Sequence, residues 1–143
     1  KLHCSSVYGV SKNKRSWSAG AFNSTKLKWG WMPPHPSLFL HKSVYNSFGV
    51  FDESFKISGD YDFILRLFTK EFEEWSYIPK TLVHMKNGGK STQSLANQIV
   101  KFKEDFRAVK KNNVGGVLTI ISKRTRKLGQ FRNVALQKVR HLF

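Results

Sequence analysis

The stretch Phe51–Phe68, FDESFKISGDYDFILRLF, sets the terms on which the rest of the chain can fold. On a helical wheel begun at Gly59, with about 100° per residue, Asp62, Arg66, Thr69 and Lys70 share one polar face. Tyr61, Phe63, Ile64, Leu65, Leu67 and Phe68 form a wide apolar arc, so the helix must be covered over most of its circumference. Asp60 falls inside that arc. A carboxylate aimed from a first turn towards a core or cleft is costly to desolvate unless something there uses it. Asp62 has a simpler role, because it stands four residues before Arg66 and pairs with it. Two readings of Asp60 stay open. It answers the positive end of the helix, with Ser58 as N-cap, or it serves as a general base.

Charge narrows the partners. The chain has 143 residues, with 25 Lys plus Arg against 9 Asp plus Glu, a net charge of +16. Every acid lies between Asp52 and Asp105, so both ends are purely basic. Such a chain seeks anions: phosphorylated substrates, nucleic acid, or acidic lipid. Cys4 is the single cysteine, which excludes a disulfide framework and a thiolate metal cluster and fits a reducing compartment. The length suits one domain or part of one. A chain that opens on Lys1 and runs at once into a strand reads as a fragment whose N-terminal part lies upstream. No apolar run reaches the roughly 20 residues that span a bilayer.

The order of elements follows from punctuation. Ser6–Val10 reads as a strand and Ser11–Ser16 as a basic loop. Trp17 to Trp31 lacks periodicity apart from one helical turn around Ser24–Trp29. Pro33-Pro34-His35-Pro36 excludes helix, Ser37–His41 reads as a strand, and Lys42–Phe48 as a short helix stopped by Gly49. The central helix is expected over Gly59–Lys70. Glu73–Ile78 and Thr81–Lys86 read as two strands around Pro79. Ser91–Asn113 reads as a helix with Leu95, Ile99, Phe102, Phe106 and Val109 inward and Lys101, Lys103, Lys110 and Lys111 outward. The division expected is a body over 1–113 and a basic amphipathic tail over 114–143, with Leu128, Phe131, Ala135, Val139 and Leu142 at helical spacing. That tail fits a helix lying on a membrane surface and equally one packed on the body.

Taken in order, WGWMPPHPSLFLHKSVYNSFGVFDESFKISGDYDFILRLF followed by YIPKTLVHMKNGGKS resembles the C-terminal half of an inverting family-2 glycosyltransferase. The resemblance covers about Val7 to Asn113. It implies an α/β fold, the acceptor-side portion of a GT-A nucleotide-diphospho-sugar transferase, with a mixed sheet and flanking helices. It further implies sugar transfer with inversion from a nucleotide-sugar donor to a glycan or lipid-linked sugar acceptor, in bacterial surface polysaccharide or glycolipid synthesis. Asp60 falls on the family's catalytic base. A divalent cation, Mg or Mn, is implied too, its main ligands lying ahead of Lys1 in the family's metal-binding Asp-x-Asp, which is distinct from Asp60-Tyr61-Asp62. Val10 departs from a position that is often acidic in relatives, and Gly59, at a position often acidic or small, leaves Asp60 without a carboxylate immediately before it.

The same resemblance marks further residues. His35 between prolines is placed beside donor or acceptor, or is structural. Gly88, Gly89 and Ser91 form a loop able to meet a diphosphate, or a turn with Ser91 as N-cap. His84 lies where some relatives supply a late metal ligand. Asp62 and Arg66 count with the substrate-side residues as well as with each other. Trp31, with Trp17 and Trp29, is either a sugar platform or core. The rival function is a basic nucleic-acid-binding module, disfavoured because the charge is split between two ends and no recognition motif is present. The expected location is cytoplasmic, with residues 117–143 touching an anionic membrane surface on its inner face.

Overall fold

A computed structural model describes residues 2–9, 16–17, 20, 22–70, 75–85 and 94–127. Strand β1, Leu2–Gly9, is the centre of a mixed sheet. Along one edge it pairs in parallel with β4, Trp75–Met85. Its other edge is shared by two short antiparallel strands: β3, Leu38–Phe39, at His3 and Cys4, and β2, Ser16–Trp17, at Val7 and Tyr8. The two strands expected around Pro79 are one. The register steps from Ser5↔Ile78 to Ser6↔Thr81, so Pro79 and Lys80 bulge out of the ladder. Proline has no N–H to give a ladder, and a bulge removes the need for one.

The helices are α1 (Ser24–Lys28), α2 (Lys42–Phe48), α3 (Gly59–Thr69), α4 (Leu95–Lys111) and α5 (117–127). Helix α2 ends at Gly49, whose φ of 77° is open to glycine at little cost. His35–Ser37 is a short 3₁₀ turn, which corrects the exclusion of helix there. Proline is tolerated in the first positions of a turn, where no N–H is needed. The strand expected over Ser37–His41 shrinks to β3, because Ser37 turns inward and bonds Pro34.

Helix α3 is the hub. Tyr61 to Leu65, Leu67 and Phe68 are all buried. Phe68 meets Phe22 and Trp31, with ring centres 4.7 and 5.2 Å apart, and Phe63 stacks on Tyr45 of α2 at 5.4 Å. Offset and edge contacts of this kind add to the burial of large rings. Helix α4 covers another side with part of the face expected, since Val109 is in the core and Phe102 and Phe106 pack against it. Leu95 and Ile99 are exposed, while Glu104, Asp105, Ala108 and Val109 are buried. Lys101 and Lys111, expected outward, reach buried carboxylates. The reason lies in the loop ahead of α3, which offers amide donors that must be satisfied.

Helix α5 is seated on the body. Ile120 is buried, and the Ser122 hydroxyl donates to the Trp29 carbonyl at 2.9 Å. Gly30 makes this possible. A Cβ built there would stand 2.6 Å from both the backbone nitrogen and the Cβ of Lys123, and Gly30 also has a φ of 68°. Gly30→Ala is therefore expected to cost about 2–4 kcal/mol, from a crowded contact and left-handed backbone together. Urea unfolding midpoints check this; an unchanged midpoint would mean that α5 does not rest on Gly30. The expected periodic residues Leu128 to Leu142 lie outside the described residues.

Candidate functional site

The loop Val50–Ser58 delivers α3, and α4 holds that loop along one stripe. One oxygen of Glu104 accepts the Lys56 amide and the other accepts those of Ile57 and Ser58, each at 2.8 Å. One helical turn on, Arg107 donates to the Ser54 hydroxyl at 2.6 Å and lies over the Phe55 ring. Another turn on, Lys111 reaches Asp52 at 2.8 Å. Residues 104, 107 and 111 share a face because they are three and four apart. Burial pushes the Glu104 carboxyl up, but three backbone amides and nearby Arg107 outweigh it and hold it below its ordinary value. Ser58 makes no side-chain cap, contrary to expectation. Its hydroxyl donates to buried Asp105 at 2.8 Å, and Glu104 takes over the satisfaction of the loop's amides.

That scaffold places Asp60 in the first turn of α3, opposite the 3₁₀ turn that carries His35. Asp60 Oδ2 stands 3.1 Å from His35 Nδ1, and Oδ1 accepts the Tyr61 amide at 2.8 Å. The Asp60 side chain is 29% exposed and the imidazole is exposed. Each carboxylate oxygen keeps a second lone pair. The group can therefore be held by the protein and still accept a proton from an incoming molecule.

The wheel reversed the two aspartates. Asp62, expected on a polar face, is 0% exposed, whereas Asp60 reaches solvent. The end of α4 covers Asp62: Lys111 Nζ lies at 3.2 Å, Asn112 Nδ2 donates at 3.0 Å, and Arg66 stands at 3.5 Å. Arg66 itself donates to the Phe48 and Val50 carbonyls at 2.9 and 2.8 Å. Asp62 and Arg66 thus pair with each other as expected; Asp62 is fully enclosed and turned away from any substrate side, while Arg66 stays partly exposed with its guanidinium on the two loop carbonyls. For Trp31 the core reading holds, since it is buried between Phe22 and Phe68. His35 and Asp60 are brought together. For His84 only the backbone is described, paired with Tyr8 in the sheet. Gly88, Gly89 and Ser91 lie outside the described residues.

Lys123 was missed. Its ammonium stands 3.0 Å from Asp105 and 3.1 Å above the centre of the Tyr61 ring, with the side chain 14% exposed. A cation over an aromatic face is stabilised by the ring quadrupole. Burial pushes Lys123 down to about 8, against the pull of Asp105 and with Lys101 adding repulsion. The unfolded chain keeps this proton up to 10.5 and the folded chain releases it near 8. Stability is therefore expected to rise by about 1 kcal/mol per pH unit above pH 8. Tyr61 acts oppositely but later: burial and Asp105 raise its pKa above its ordinary 10.0, so its effect begins there. Urea titrations between pH 8 and 9.5 on the parent and Lys123→Met test this; an equal slope in both would remove Lys123 as its source. The signal available in the sequence was Glu104-Asp105, the last acids before a wholly basic end.

Among the described residues, no three His, Cys, Asp or Glu side chains converge to hold a metal ion. Nor is any described helix long and apolar enough to cross a membrane. No protein family, curated protein or solved structure matches the chain.

Proposed function

We propose that this chain is the acceptor-side half of an inverting glycosyltransferase acting on a nucleotide-sugar, with Asp60 as its general base. The observation that carries the reading is the Asp60–His35 pair. Asp62, Glu104 and Asp105 are turned inward and consumed by protein donors. Asp60 instead keeps a partly open carboxylate, steadied at one oxygen by His35 and at the other by a backbone amide. The ordered resemblance of residues 29–68 and 77–91 to the family supplies the reaction class.

In the reaction, the acceptor hydroxyl oxygen bonds to the anomeric carbon as the bond to the donor phosphate breaks. The proton passes to Asp60, and the nucleoside diphosphate leaves with the electron pair. A single displacement inverts the anomeric centre. His35 keeps the accepting oxygen in place, which preserves the alignment that a bimolecular step needs. A divalent cation, when bound, would neutralise the leaving diphosphate. The described residues form no site for it, and its ligands are assigned to the nucleotide-binding half ahead of Lys1. The nucleotide-sugar donor and a glycan or lipid-linked acceptor are the partners this requires.

The test is transfer of labelled sugar by the chain joined to the sequence that its gene places ahead of Lys1. A panel of nucleotide-sugars is offered with Mg or Mn, and the anomeric configuration of the product is read. Retention of configuration, or no turnover with any donor, would overturn the reading.

A further inference from the structure

Helices α4 and α5 lie side by side and antiparallel, because Arg124 reaches the Gln98 carbonyl at 3.5 Å and covers the Phe102 ring. Their inward faces are used: Asp105 and Lys123 meet there, and Val109 and Ile120 are buried. The outward face is unusual for the surface of so basic a chain. Leu95 and Ile99 stand exposed on α4, Leu95 at 79%, while Phe102 and Phe106, further along at spacings of three and four, are partly buried against the core and form the inner margin of the stripe. Val117, Leu118 and Ile121 stand exposed on α5, Leu118 at 78%.

Cations frame this stripe. Lys103 and Lys110 sit four residues after Ile99 and Phe106, and the Lys110 ammonium lies 5.8 Å from the Phe106 ring centre. Arg124 and exposed Arg126 do the same for α5. The acids of α4 cannot dilute that charge, since Glu104 and Asp105 are buried on the opposite side and no acid follows Asp105.

We propose that this two-helix face docks on the surface of an anionic lipid bilayer. Branched aliphatic side chains enter the headgroup boundary while the long cationic side chains bond phosphate around them. Charge decides among occupants. A second copy of the chain would bring Lys103, Lys110, Arg124 and Arg126 against their own like. A nucleic acid would satisfy the cations but make no use of Leu95, Ile99, Leu118 and Ile121, which give no flat rings for stacking bases. The surface differs from a basic tail acting alone, because half of it belongs to α4. It does not depend on the role given to Asp60.

The experiment is co-sedimentation of the 143-residue chain with vesicles of phosphatidylcholine alone and with added phosphatidylglycerol. Binding is expected only with the anionic lipid. Leu118→Ser with Ile121→Ser, and separately Leu95→Ser with Ile99→Ser, should each weaken it at least ~10-fold. Circular dichroism and thermal midpoints should stay at the parental values, because all four side chains are exposed. The proposal fails if the parent does not sediment with anionic vesicles. It fails equally if either serine pair binds like the parent, which would leave charge alone or the tail as the cause. A parent dimer that the serine pairs dissolve, seen by sedimentation velocity without lipid, would assign the face to self-association instead.

Discussion

Asp60→Asn is expected to lower sugar transfer by about 10²–10⁴-fold, the range that a lost general base commonly costs. The amide keeps the shape of the carboxylate, and its oxygen can still accept the Tyr61 amide. It cannot take a proton from an alcohol. The loss should therefore appear in turnover, with little change in the unfolding midpoint. Asp62→Asn supplies the contrast two residues away. Asp62 is buried and answers Lys111, Asn112 and Arg66, so its neutral replacement strips charge from a buried network. That variant should lose stability by about 2–4 kcal/mol while any folded fraction keeps its chemistry. Paired measurements of transfer rate and urea midpoint separate the two. Full activity in Asp60→Asn would take Asp60 out of the mechanism, whatever becomes of the rest of the reading.

The second large effect belongs to Glu104. Glu104→Gln is expected to cost about 3–5 kcal/mol, since one carboxylate holds three backbone amides and each charged bond contributes about 1.5–3 kcal/mol. Glutamine presents a single acceptor oxygen, and its NH₂ opposes the amides that the second carboxylate oxygen received. The pH dependence has a defined sign. Glu104 is held below its ordinary 4.5 in the folded chain, so its stabilisation is complete above that value. It is lost as pH falls through the lower folded value, where the native carboxylate must protonate. The parent should thus show a steeper loss of stability below pH 4.5 than the glutamine variant. Because the clamp sets the loop that presents Asp60, Glu104→Gln should also slow transfer in whatever fraction remains folded. A variant with parental stability and a parental acid limb would show that the loop is held by other contacts.

The resemblance and the structure speak to different parts of the proposal. The ordered residues suggest a reaction class, while the geometry brings His35 to Asp60, 25 positions apart in the sequence. Neither feature requires the other. The transfer assay joins them, and the vesicle experiment stands apart from both.

Much of the local structure was legible in the chain. The apolar arc of residues 59–70, the Gly49 stop after Lys42–Phe48 and the helical spacing through Leu95–Lys111 each reflect rules that act within a few residues. Backbone period, capping geometry and glycine's access to positive φ are short-range physics, and a sequence carries them openly. The burial of charge was not legible. A wheel assigns polar residues to solvent, yet Asp62, Glu104 and Asp105 are interior and Leu95 and Ile99 are exposed. Whether a carboxylate can be buried depends on donors that arrive from elsewhere: the loop amides of residues 56–58, the end of α4, and Lys123 from α5. The sequence by itself determined where the helices run and which one is wrapped. Only the tertiary structure decided which aspartate is enclosed and which meets solvent, because desolvating a charge is offset only by partners brought together through folding.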